Sequence, residues 1–337
     1  MYKQIGIFIE KNNKYKSCQN TFILKIFFII FIILYGTINL LHYSIKIKAF
    51  TILNKKFAVI RRTTNPISGL FSYYIRFLGC VRKYMIQGFI PILDLESYKN
   101  VMNGFNVNPS KGNPWEYYFN QPFGYKYDEI KKNHRNIKYF ECNKIRRKPH
   151  SDIFLNIKSM NYWHMMAKKY ISIKKEIIKE SNNIRFKLFK KSKNILGVLL
   201  RGTDYIARKP RKHSIPPKTE DAIKDAKIYD NKYKYDWIFL ATEDNIIRKE
   251  FIGAIGRKVK CLINKKKISY NYSAKKFLAY NIDFKNNIKF NKIYLLNIII
   301  LSKCLDFIGA QTSGTIGVFI FSKGFRNYKV YNLGKYK

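Results

Sequence analysis

Six uncharged residues, Ile195-Leu196-Gly197-Val198-Leu199-Leu200, run without transition into Arg201-Gly202-Thr203-Asp204. An apolar run of strand length that ends so abruptly is a strand buried on both faces, the kind found in parallel sheets covered by helices. Such a strand delivers the residues that follow it to the open carboxyl edge of the sheet, where α/β proteins bind ligands. Arg201 is then a fixed cation with a forked set of donors suited to a diphosphate, and Gly202 lets a phosphate approach the backbone.

The sequence after this strand alternates. Pro216–Tyr233 has helical period, Tyr235–Ala241 is an apolar strand, and Asn245–Ile255 is helical. Phe290–Cys304 is a strongly apolar helix, followed by a strand at Asp306–Ala310, a helix at Thr315–Lys323 and a strand at Tyr328–Leu333, while 260–287 is polar and gives no clear element. This pattern predicts a parallel sheet with helices on both faces. The first half carries a smaller version: a strand at Phe57–Ile60, a turn at Asn65–Gly69, a helix at Leu70–Met85 and a strand at Gly88–Asp94 make a βαβ unit. In its loop, Ser68 caps the helix, or Gly69 and Ser72 turn backbone N–H groups toward a ligand. The aromatic stretch Asn113–Pro122, with Trp115, either packs in the core or stacks on a sugar from the acceptor side. One long lysine-bearing helix over Ser159–Lys191 leads into the second half. The expected organisation is a segment 1–50, a domain 51–190 and a domain 191–337, the two domains facing across a cleft.

Within 1–50, Thr21–Ile45 is long and apolar enough to serve as a membrane anchor, despite Lys25, Asn39 and His42. The alternative is an amphipathic or buried helix. The formal charge of +44 comes from 65 Lys and Arg against 21 Asp and Glu, spread along the whole chain among Asn, Ile, Tyr and Phe. That spread is a solvated basic surface with affinity for anionic membranes rather than a concentrated nucleic-acid patch, so no specific nucleic-acid partner is expected. Five separated cysteines, Cys18, Cys80, Cys142, Cys261 and Cys304, have neither paired nor metal-ligand spacing, and a reducing compartment is expected. No Asp-x-Asp triplet is available to hold a metal against a diphosphate. No metal is therefore expected, and protein groups must neutralise the diphosphate.

Three strand ends share one edge of the second sheet: Arg201-Gly202-Thr203-Asp204, Thr242-Glu243-Asp244, and Thr312-Ser313-Gly314-Thr315. Each has a structural alternative. Arg201 pairs with Asp204, Glu243 and Asp244 cap the next helix, and Ser313–Thr315 merely begin one. The last segment also has the small hydroxyl and glycine residues of an anion site at a helix N-terminus.

These residues, with Gly197-Val198, Phe239–Asp244, Leu301-Ser302 and Asp306-Phe307, resemble the GDP-fucose-dependent α-1,6-fucosyltransferase and nodulation-fucosyltransferase group over about residues 194–320. Bacterial polysaccharide-cluster proteins of that plan share the stretches at Gly69–Ser72 and Trp115–Pro122. The resemblance implies an α/β fold of two facing Rossmann-like domains of the GT-B type. It also implies an inverting transfer without metal or cofactor, GDP-sugar being a substrate and a glycan the acceptor. Carried over, Arg201 matches the arginine on the β-phosphate and Asp204 the acid beside it, Glu243 and Asp244 the paired carboxylates, and Thr312 and Ser313 the phosphate-side hydroxyls. Gly202 stands in place of a second arginine, Leu199 of a guanine-contacting histidine, and Asn297 of a guanine-reading carboxylate. Asp204 and His213 are the candidate bases. A membrane-associated protein with its catalytic part in a bacterial cytoplasm is the expected setting. A transferase for another nucleotide sugar, a basic nucleic-acid-binding protein and a non-catalytic membrane-associated protein are the alternatives.

Overall fold

The computed structural model describes residues 55–337 apart from 65, 134–135, 143–144, 203–205, 207–208 and 263–283. The apolar stretch Thr21–Ile45 lies outside them, and among the described residues no helix is long and apolar enough to cross a membrane. Residues 56–337 form one compact unit.

The chain is a mixed α/β fold with two parallel sheets. The first has three strands in the order β2-β1-β3, made by Phe57–Arg61 (β1), Ile90–Leu93 (β2) and Ile137–Glu141 (β3). Helix α1, Leu70–Ile86, crosses from β1 to β2, closing the expected βαβ unit. Its apolar residues recur at helical spacing, and Leu70, Phe71, Tyr74, Phe77, Leu78, Val81 and Tyr84 are all buried. Its N-cap is Gly69, without a side-chain cap, so Ser68 does not cap it.

The edge of β2 is closed by side chains rather than a fourth strand. Asn113 accepts from the Leu95 N–H and donates to the Leu93 carbonyl, while Gln121 accepts from the Leu93 N–H at 2.9 Å. These amides seat the aromatic stretch inward. Trp115 and Phe119 are fully buried, their ring centroids 4.5 Å apart, with Tyr74 of α1 against both. Placement of Trp115 on an acceptor-side loop is corrected by this: its ring is enclosed by core aromatics and has no face to offer a sugar.

A short helix, Tyr127–Asn133 (α2), precedes β3. The single helix expected over Ser159–Lys191 is two, Ile157–Tyr170 (α3) and Lys175–Phe189 (α4). The chain breaks between them because other partners claim the backbone there. The Tyr74 hydroxyl donates to the Ile171 carbonyl, the Asn120 N–H to the Ser172 carbonyl, and the Lys174 N–H to the Tyr118 carbonyl.

The second sheet has the order β6-β5-β4-β7-β8, all parallel. Its strands are Ile195–Leu199 (β4), Trp237–Ala241 (β5), Val259–Lys260 (β6), Asp306–Ala310 (β7) and Tyr328–Tyr331 (β8). Helices α5 (Thr219–Tyr233), α6 (Asn245–Ile255), α7 (Phe284–Leu301) and α8 (Ser313–Phe321) intervene in chain order. From β4 the chain goes outward to β6 on one side and then returns to lay down β7 and β8 on the other. The topological switch point therefore lies between β4 and β7, where open α/β sheets form a crevice at their carboxyl edge.

One apolar cluster runs through both sheets, from Ala58 and Ile60 of β1 to Ile195 and Leu199 of β4. The bridge is aromatic: Phe71 of α1 makes edge contacts with Tyr294 of α7 and Phe321 of α8. Gly317 of α8 is occupied from outside by the Phe71 ring, so no side chain fits at that position.

The expectation of unpaired cysteines is corrected. Cys80 of α1 and Cys142, just after β3, form a disulfide. Spacing along the chain was uninformative because the parallel pairing of β1 with β3 brings residue 142 beside the helix that follows β1. With that pair bonded, the ground for expecting a reducing compartment falls away.

Candidate functional site

The switch point of the second sheet gathers the three predicted strand ends. Leu200 continues the ladder, its N–H donating to the Ala241 carbonyl at 3.1 Å, and this carries Arg201 and Gly202 past the end of β4 alongside Thr242–Asp244. Glu243 turns back toward them. Its Oε1 accepts from the Gly202 N–H at 3.3 Å and lies 4.0 Å from Arg201 Nε. Arg201 is about one-third exposed and Glu243 about one-fifth, a screened pair at the surface rather than a buried ion pair. An acid at that distance helps to orient the guanidinium at the sheet edge.

Asp244 has a different task. Its Oδ1 accepts from the Ile246 and Ile247 N–H groups, capping α6, and the residue is buried. It also explains Gly202. A Cβ on residue 202 would overlap the Asp244 carboxylate and sit 2.7 Å from Ile247 Cδ1. The space on the Cβ side of Gly202 is thus filled by the helix cap. An arginine at 202 would have to displace the cap, which is a physical reason for the departure noted above.

On the other side of the switch point, Thr312 is the N-cap of α8, its hydroxyl accepting from the Thr315 N–H at 3.1 Å. Thr315 is fully buried and donates its hydroxyl to the Ala310 carbonyl, so it fastens the helix to β7 and does not reach a ligand. Ser313 and Gly314 open the first turn, the position at which an α-helix presents N–H groups and the positive end of its dipole. Gly314 is required there because the Tyr294 hydroxyl of α7 occupies the place of a side chain, with Leu199 behind it. Tyr294 was not among the predicted site residues; a tyrosine within an apolar helix reads as core from sequence.

Asn297, on the same helix as Tyr294, has a buried amide oxygen with no hydrogen-bond partner among the described residues. A buried acceptor in that state favours any N–H that can be brought to it. His213 is exposed on a loop pinned to the carboxyl-terminal segment, its N–H donating to the Pro210 carbonyl and its carbonyl accepting from Tyr336 N–H at 2.9 Å. Thr203 and Asp204 lie outside the described residues.

In the first sheet, Gly69 opens α1 and Ser72 lies in its first turn, where the Ser72 hydroxyl accepts from Arg62 Nη1 at 3.0 Å. The other arginine of the pair, Arg61, donates to Asp94 at 2.8 Å and to the Tyr127 hydroxyl. Asp94 is fully buried and also accepts from the Glu96 N–H and from the Ser97 N–H and hydroxyl, so it closes the turn after β2.

No protein-family profile and no curated protein sequence matches this chain. Among solved structures it is similar to NodZ α-1,6-fucosyltransferase soaked with GDP-fucose, at 14% identity and a TM-score of 0.46, over 80% of this chain and 93% of that one. The fucosyltransferase NodZ from Bradyrhizobium follows at 12% and 0.47, over 80% and 94%. POFUT1 in complex with GDP stands at 9% and 0.49, over 82% of this chain and 99% of that one.

Proposed function

We propose that this protein is a glycosyltransferase that takes its sugar from a nucleotide diphosphate donor, GDP-fucose by the resemblance of its strand-end residues, and passes it to a glycan hydroxyl. The observation that carries this reading is that β4 and β7 are parallel neighbours at the switch point, so that Arg201, after β4, and the first turn of α8, after β7, belong to the same sheet edge. A cation on one side and a helix N-terminus on the other make a cradle for a diphosphate that needs no bound metal.

In the proposed reaction the acceptor oxygen attacks the anomeric carbon from the face opposite the diphosphate. The new carbon–oxygen bond forms as the bond to the phosphate oxygen breaks, inverting the centre, and GDP leaves with the electron pair. Arg201 and the α8 terminus stabilise the negative charge that grows on the departing β-phosphate, and their fixed positions avoid reorganisation during the step. Asp204 or His213 takes the hydroxyl proton. Asn297 offers its amide oxygen to an N–H of the base, one acceptor oxygen where a carboxylate has two. Ser313 and Gly314 act through their backbone, Glu243 by orienting Arg201, and Asp244, Thr312 and Thr315 by holding the two helices that frame the cradle. The apolar stretch at 21–45 serves as membrane attachment beside a glycan-bearing surface.

The test is a panel of nucleotide sugars assayed for binding and for slow hydrolysis, repeated with Arg201→Ala. The expected result is saturable binding and turnover of a GDP-sugar, with turnover abolished in a variant that keeps the wild-type circular dichroism and melting temperature. Near-normal turnover in Arg201→Ala overturns the assignment of the site. Steep salt-dependent RNA binding with no response to any nucleotide sugar overturns the function.

A further inference from the structure

The first sheet has a switch point of its own. With the order β2-β1-β3, it lies between β1 and β3, and those two strands are followed by Arg62 and by Cys142, with Ile145–Lys148 further along the chain. Arg62 is only 3% exposed. It donates to Ser72 at 3.0 Å and its guanidinium lies 5.3 Å from the Tyr73 ring centroid. No hydrogen bond or ion pair links it to a carboxylate among the described residues. Glu141, at the end of β3, is engaged by the N–H and hydroxyl of Thr63 instead. Burying a guanidinium against a hydroxyl and an aromatic face alone is costly, since neither carries the opposite charge.

More positive charge is gathered at the same place. Ser72, Arg76 and Gly79 follow one another at i, i+4 and i+7, so they form one stripe along α1. At the far end of the stripe the chain after β3 is pressed onto the helix. A Cβ on Gly79 would meet the Arg147 carbonyl at 2.7 Å and Lys148 Cβ at 2.9 Å, and the Cys80–Cys142 disulfide fixes this segment one residue along. Arg76 and Lys148 are both partly exposed. The three cations act on one another. Burial first, and then Arg76, press the Arg62 pKa down to about 10, and burial, Arg76 and Arg62 lower that of Lys148.

We propose that the carboxyl edge of the first sheet is a binding site for a phosphate-bearing ligand, in which Arg62 supplies a buried charge, Arg76 and Lys148 add partly exposed charge, and the Ser72 hydroxyl donates. A hydroxyl that accepts from Arg62 keeps its own proton to donate. A phosphomonoester dianion matches three gathered cations better than a single carboxylate does, and Arg with a hydroxyl and Lys gives it both forked and point-charge contacts. The Gly79 contact and the disulfide then serve to hold Lys148 where the anion needs it. The ligand is distinct from the nucleotide sugar of the second sheet, and its binding is measured without the transfer reaction, so the two readings fail separately.

The experiment is calorimetric titration of the full chain with inorganic phosphate, with glucose 1-phosphate and with acetate, in wild type, Arg76→Met, Lys148→Met and a control with Lys158→Met and Lys168→Met on the exposed side of α3. Arg62→Met is avoided because a buried position is prone to misfold on substitution. The expected result is saturable phosphate binding that falls at least tenfold in Arg76→Met and in Lys148→Met, stays unchanged in the control, and exceeds acetate binding at least tenfold, with GDP binding the same in all four proteins. Glucose 1-phosphate binding beside vesicles of phosphatidic acid separates a soluble phosphomonoester from a lipid headgroup as the source. Equal loss in the control variant overturns the proposal, as does equal binding of acetate or the lack of saturable phosphate binding in folded wild type.

Discussion

The two sheets treat their carboxyl edges differently. In the second, every group that frames the candidate site is held by a helix cap or its neighbour: Asp244 caps α6, Thr312 caps α8, and Thr315 ties α8 to β7. In the first, α1 begins at an uncapped glycine and the cation-bearing segment after β3 is held by a covalent bond to the helix. The Thr312 cap takes up the Thr315 N–H, and Ser313 and Gly314 ahead of it form the part of the first turn that suits an anion bound by backbone. A staple fixes side chains instead, and the first sheet accordingly offers arginine and lysine. Two parallel sheets in one chain thus present positive charge by two independent means.

The largest way to break this contrast is to remove the staple. Replacing Cys80→Ser together with Cys142→Ser is expected to lower stability by about 2–5 kcal/mol in chemical denaturation, the ordinary cost of losing a native disulfide. The variant should lose phosphate affinity and keep nucleotide affinity in separate titrations, and a parallel fall in both would show that the edges are not independent. Next comes Gly202→Ala, which forces a methyl group into the Asp244 cap and is expected to cost about 1–3 kcal/mol of overpacking. Differential scanning calorimetry should register it as a lower melting temperature, with phosphate binding at the first sheet untouched. The smallest effect belongs to Thr312→Ala, where loss of one N-cap hydroxyl is worth about 1 kcal/mol. Its signature is a modest loss of stability joined to weaker nucleotide binding, while Thr312→Ser retains both; a stability loss alone would reduce α8 to scaffolding.

The second sheet was legible in the sequence because its strands are continuous apolar runs that stop at polar residues. The order of strands, helices and strand ends from Ile195 to Tyr331 emerged almost unchanged. What sequence could not separate was framing from binding. Asp244, Gly202 and Thr315 have the composition of ligand groups, yet each is explained by packing against its neighbours. The first edge was missed for the opposite reason. Arg62, Arg76 and Lys148 are three among 65 basic residues, and only the pairing of β1 with β3 and the turn of α1 bring them together. Helix α1 itself was plain from its period, whereas the break between α3 and α4 was not, because its cause is a set of long-range backbone hydrogen bonds with no local signal.

Helix α8 has consequences beyond its first turn. It is nine residues long, its start faces the candidate diphosphate cradle, and at Gly317 its bare backbone is the seat of Phe71 from α1. The same short rod is therefore both a jaw of one sheet's site and the bearing on which the other sheet's helix rests. A sliding of α8 by even a fraction of a turn would unseat an aromatic ring from a socket cut to its shape, so the interior opposes any small drift of that jaw. Rigidity at the cradle is in this way supplied from the far side of the molecule, by a glycine that touches no ligand.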